Sequence, residues 1–133
     1  MVRDTFFCTM PRKAITSDKI PKPIAPFSIA VRDGDRVYCS GQVGADPSTG
    51  KLVDGIAAQT EQAFRNVEAI LKAAGKSMDD VVKVNVYLAD MKNFAAMNEV
   101  YARMFKAPYP ARTTVGVAAL PLGAAVEIEM IAG

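Results

Sequence analysis

The chain contains no histidine and no tryptophan, and only two cysteines, Cys8 and Cys39. Without imidazole, neither a Ser-His-Asp nor a Cys-His nucleophile can be assembled, nor a zinc site that uses histidine nitrogen. Two thiols cannot supply a four-thiolate metal site. Neither belongs to a CxxC pair, so a reduced, cytoplasmic protein with no metal is expected. Charge of one sign is also scarce. Sixteen Lys and Arg against fourteen Asp and Glu leave a net +2, spread along the chain, which is no electrostatic footprint for nucleic acid. No apolar run approaches the roughly 20 residues that span a membrane. The chemistry must come from Arg, Lys, Glu, Asp, Tyr, Ser, Thr, Asn, Cys, backbone groups and water.

What remains is enough for one packed domain: 133 residues, half of them hydrophobic. Residues 1–16 differ in character. Arg3, Arg12 and Lys13 surround the short run Thr5-Phe6-Phe7-Cys8-Thr9-Met10, whose apolar part is too short for a secretory signal. This segment is expected to be a flexible extension, with organelle targeting left open. Residues 17–133 are expected to form a single domain.

Periodicity supplies the elements. Strands are predicted over 29–31 and 36–40, joined by the turn Asp33-Gly34. A polar loop follows over 41–50, then a short edge strand over 51–53. Ala63, Phe64, Val67, Ile70, Leu71 and Ala74 follow a 3.6-residue period and mark a helix, with Asp54 as its cap and Gly75 as its stop. Alternation over 81–89 marks a half-buried strand, with Val82, Val84, Val86 and Leu88 on one face. A second helix is expected to start at Asn93, to bury Met97, Val100, Tyr101, Met104 and Phe105, and to be ended by Pro108 and Pro110. Strands over 112–119 and 125–132 complete the set. The class is α+β, a single sheet with two helices on one face. The other face is expected to carry Tyr87, Arg112, Thr114, Gly116, Ala118 and Ile131, a mixture that suits a subunit interface.

Two places gather chemistry. Arg112, stiffened by Pro110, offers a planar fork that matches a carboxylate and stays charged at any relevant pH. Glu127 and Glu129 stand two apart on a strand and share a face. A carboxylate held in a cleft can have its pKa raised enough to serve as a base near neutrality. A guanidinium beside such a glutamate would make a pocket for a small carboxylic acid. The bland alternatives are a solvated arginine, or one paired to Glu127 or Glu129, and an ordinary charged strand face. Glu129 is expected to be structural or paired with a cation, and Cys39 to be a buried strand residue.

The run Tyr109-Pro110-Ala111-Arg112-Thr113-Thr114, the turn Leu120-Pro121-Leu122-Gly123, the strand Val126-Glu127-Ile128-Glu129-Met130 and the segment Ser40-Gly41-Gln42 together resemble the Rid family, the reactive intermediate deaminases of RidA/YjgF type. The resemblance covers about Ile24 to Ile131. It implies a mixed sheet of about six strands in a chorismate-mutase-like fold, and homotrimers with clefts between subunits. It implies that Arg112 grips a substrate carboxylate with help from the Thr114 N–H, and that Glu127 positions a water. Asn98, Gly41 and Phe27 match positions near the pocket. Two residues depart from the family pattern: Phe27 stands where tyrosine is frequent, and Thr114 where cysteine is frequent. The implied reaction is hydrolysis of a 2-imino or 2-enamino acid such as 2-aminoacrylate to a 2-oxo acid and ammonia, without cofactor. The rival readings are a non-catalytic trimer that binds small carboxylates or a partner protein, and an endoribonuclease or translation inhibitor. Weak charge and the missing histidine argue against the last.

Overall fold

A computed structural model describes residues 12–133; Cys8 and most of the expected extension lie outside the described residues. The elements in chain order are β1 (Lys13–Ala14), β2 (Ala30–Asp33), β3 (Arg36–Cys39), β4 (Gln42–Val43), α1 (Ile56–Ala73), β5 (Val81–Leu88), α2 (Phe94–Met104), β6 (Ala111–Gly116) and β7 (Val126–Ala132). They form one seven-stranded sheet in the order β1-β2-β3-β7-β5-β6, with β4 also paired to β7. The β5–β6 pair is parallel, because α2 crosses over between them, and the other described pairs are antiparallel. Both helices lie on one face.

The core forms where two periodicities meet. Ala63, Phe64, Val67, Ile70 and Leu71 of α1 are buried against Val84, Val86 and Leu88 of β5 and Val126, Ile128, Met130 and Ala132 of β7. The stop at Gly75 holds. Its φ of 76° lets the Gly75 and Lys76 N–H groups turn back onto the carbonyls of Lys72 and Leu71 at 3.0 and 2.8 Å. The cap differs from expectation: Gly55, not Asp54, precedes α1, and no side chain caps it. Asn93 does precede α2, without a side-chain bond to it. Nor does proline end α2. Phe105 turns extended first and packs its ring against Phe64 and Tyr101. The expected strand at 51–53 is one bridge, Ala45 to Leu52.

Two irregularities bear on the site. In β5 the register against β7 shifts between Val81 and Lys83. Val81 is therefore buried and Val82 exposed, against the expected alternation. On the other side of β7, Val37 and Tyr38 pair with Ala132 and Ile131, whereas Gln42 and Val43 pair with Ile128 and Glu127. Cys39, Ser40 and Gly41 thus stand opposite Met130 and Glu129, one residue more than the partner strand offers, which is a bulge. It sits at the segment expected to approach a ligand.

Candidate active site

Glu127 lies on the face of the sheet turned away from the helices, between the buried Val126 and Ile128. The bulge brings Gly41 beneath it. A Cβ at position 41 would stand 2.9 Å from Glu127 Cδ and 3.0 Å from Oε2, so only glycine leaves room for the carboxylate there. Burial, and then the charge of Glu129 on the same face, raise the Glu127 pKa above its ordinary value. Glu129 itself is occupied. It accepts hydrogen bonds from the Tyr87 hydroxyl and, at 3.0 Å, from Asn85 Nδ2. That bond pushes the Tyr87 phenol up to about 12. Glu129 is therefore structural, as expected, and fixes the charge beside Glu127. Ser40 Oγ donates to the Ser28 carbonyl at 2.6 Å, which ties the bulge to the segment carrying Phe27. Phe27 is 54% exposed and, with Ser28, Tyr38, Ser40 and Glu129, lines a concavity of ≈ 680 Å³.

Arg112 is in a different place. β6 pairs with β5 so that Arg112 meets Val84 and Thr114 meets Val86, both buried beneath the helices. Arg112 and Thr114, and with them Gly116, lie on the helix side, not beside Tyr87 as the alternation suggests. The residues of β6 that share the face of Tyr87 are Ala111, Thr113 and Val115, and Lys83 Nζ donates to Thr113 Oγ1 there at 2.9 Å. Ala118 lies past the end of the strand.

The half-buried guanidinium of Arg112 donates from Nη1 to Asn98 Oδ1 at 2.7 Å. Its Cζ sits 4.6 Å from the ring centre of Tyr101 and 5.6 Å from that of Phe94. Among the described residues it has no carboxylate partner; the ion pair found is Arg65 with Glu61 at 2.8 Å. The expected alternatives of pairing to Glu127 or Glu129 do not occur. Nearby, the Thr114 and Tyr101 hydroxyls are buried with no hydrogen-bond partner among the described residues.

Residues 17–133 match the family described as Endoribonuclease L-PSP. The chain belongs to this family, also known as RutC/Rid. A 2-iminobutanoate/2-iminopropanoate deaminase of Mus musculus is 49% identical over 122 residues, 91% of this chain and 90% of that one. The crystal structure of RidA from the Antarctic bacterium Psychrobacter sp. is 51% identical, covers 90% of this chain and 98% of its own, and superposes with a TM-score of 0.86. E. coli TdcF with bound serine is 39% identical, over 90% and 97% of the two chains, with a TM-score of 0.85.

The Rid chain thus carries two clusters, on opposite faces of one sheet. Gly41 and Glu127 form the first, with Phe27 on the adjoining concavity that Glu129 lines; Asn98, Arg112 and Thr114 belong to the second. Three features escaped sequence reading: the bulge, the Tyr87–Asn85–Glu129 network, and the grip of Phe94 and Tyr101 on Arg112. The last had a signal. Phe94, Asn98 and Tyr101 are spaced four and three apart, one face of a helix. Cys39 is buried as expected, and burial pushes its thiol up to about 12, which leaves it inert.

Proposed function

We propose that this Rid protein hydrolyses small 2-imino acids, or their 2-enamino tautomers, to 2-oxo acids and ammonia, in clefts formed between three copies of the chain. The observation that carries the reading is a half-buried guanidinium fixed by neutral groups alone, a cation ready for a small carboxylate. The deaminase names of the relatives supply the reaction class. Clusters on opposite faces favour a shared cleft, with Arg112, Asn98 and Thr114 from one copy and Glu127, Gly41 and Phe27 from the next. The outer sheet face mixes Val31, Tyr38, Val115 and Ile131 with polar residues and suits such an assembly. The proposed setting is the cytoplasm. No described helix is long and apolar enough to cross a membrane.

In this mechanism Arg112 and the Thr114 N–H hold the carboxylate. Glu127 accepts a proton from a water as that water attacks the carbon of the protonated C=N group. The tetrahedral adduct regains the proton on nitrogen through Glu127. Its C–N bond breaks and ammonia leaves as the C=O forms, the hydroxyl proton passing to the Glu127 carboxylate, ionised again, and from there to the ammonia. Imines hydrolyse unaided, so positioning with general acid/base help of about 10²–10⁴-fold is the required scale.

The test generates imines from several amino acids with an amino-acid oxidase and traps the survivors with semicarbazide. Faster loss of the trapped signal that disappears in Arg112→Ala is the expected result. Binding of a 2-oxo acid with no acceleration would favour the non-catalytic reading. RNA cleavage that survives rigorous purification would favour the endoribonuclease reading.

A further inference from the structure

Resting on the carboxylate-binding role given to Arg112, we propose that Phe94 and Tyr101 are positioning residues that clamp its guanidinium and set the affinity for the substrate carboxylate. Three residues of α2 at helical spacing, Phe94, Asn98 and Tyr101, converge on one side chain of β6. Asn98 fixes the in-plane direction through Nη1 at 2.7 Å. The rings fix the position of the group from their faces, at 4.6 and 5.6 Å, within the range where a cation is attracted to an aromatic face.

The Tyr101 ring is itself immobilised. It meets Phe64 of α1 edge-on at 5.7 Å and Phe105 at 5.1 Å, and the residue is 6% exposed. Its hydroxyl bonds to nothing in the described chain, so the ring, and not the phenol, does the holding. An exposed arginine loses several side-chain rotations when it binds an anion; a clamped one has lost them already. The rings also leave the charge uncommitted, whereas a carboxylate clamp would neutralise it.

The experiment compares Phe94→Leu, Tyr101→Leu and Tyr101→Phe with the parent and with Arg112→Ala, in the imine assay and in calorimetric binding of 2-oxobutanoate. Phe94→Leu should raise KM and weaken binding about five-fold, and Tyr101→Leu about ten-fold, with kcat changed much less. Tyr101→Phe should restore the parent values. Tyr101 lies in the core, so if Tyr101→Leu does not fold, the half-exposed Phe94 decides. If Arg112→Ala abolishes binding while Phe94→Leu leaves KM and affinity unchanged, the clamp is overturned and the carboxylate site stands. If Arg112→Ala binds 2-oxobutanoate as the parent does, both are overturned.

Discussion

Arg112 and Glu127 point from opposite faces of the same sheet, one toward α2 and the other away from both helices. A single chain therefore does not join them. If the cleft takes one residue from each of two copies, two inactive variants should complement. Arg112→Ala and Glu127→Gln, unfolded together and reassembled in equal amounts, should recover roughly a quarter of the parental sites in a ring of head-to-tail interfaces. Each variant reassembled alone should stay inactive. No recovery in the mixture would exclude the shared cleft.

Gly41→Ala should disable the enzyme while leaving the fold intact. The new Cβ meets the flexible Glu127 side chain, not backbone, so the carboxylate moves and the strands do not. A displacement of about 1 Å at a reacting group costs on the order of 10²-fold in rate. Steady-state kinetics beside a thermal melt read both effects, and an active Gly41→Ala would remove Glu127 from the reaction.

Gly44→Ala should do the reverse, because its Cβ would fall 2.4 Å from the Gln59 backbone of α1. Neither helix nor strand can yield cheaply, and a loss of about 3 kcal/mol or more is expected. Urea denaturation measures it, and an unchanged midpoint would show that α1 does not pack there as described.

The acid side of the activity profile should follow Glu127. Its pKa is raised by burial and then by Glu129, so activity should fall at a higher pH than an unperturbed glutamate would set. Glu129→Gln removes the like charge and should move that limb to lower pH. Stability should run the other way. The unfolded glutamate ionises at lower pH than the folded one. The fold therefore bears a cost when Glu127 is charged, and the cost vanishes as pH falls through the folded pKa. Glu127→Gln should accordingly melt higher than the parent near about pH 8, with the gap closing toward about pH 4. A Glu129→Gln profile identical to the parent's would show that the neighbouring charge does not act on Glu127.

Much of this molecule is legible in its sequence, and the illegible parts share a cause. The helices and the buried face of β7 announce themselves because each burial period persists for several turns or pairs. Arg112 was readable as a candidate because its motif is local. Its face was not, because β6 is short, lies at the sheet edge and takes its orientation from the parallel register with β5. Val82 and Gly41 sit at bulges, where one inserted residue inverts the alternation and leaves no mark in composition. The two-residue strands Lys13–Ala14 and Gln42–Val43 are too short to show a period. Tyr101 carries the same apolar signature whether it fills a core or holds a cation, and only the contact with Arg112 separates the two.

Because an amide and two rings hold Arg112, an arriving anion has no internal rival to evict. If the proposed shared cleft forms, such a cradle would accept any small oxyanion, and discrimination would fall to the wall that the next copy supplies. There an ionised Glu127 would repel a second negative charge, so dicarboxylates and phosphate dianions should be poor guests while monoanions pass. Selection by valence would then come from the pairing of a promiscuous grip with a repulsive neighbour, with no pocket tailored to one side chain.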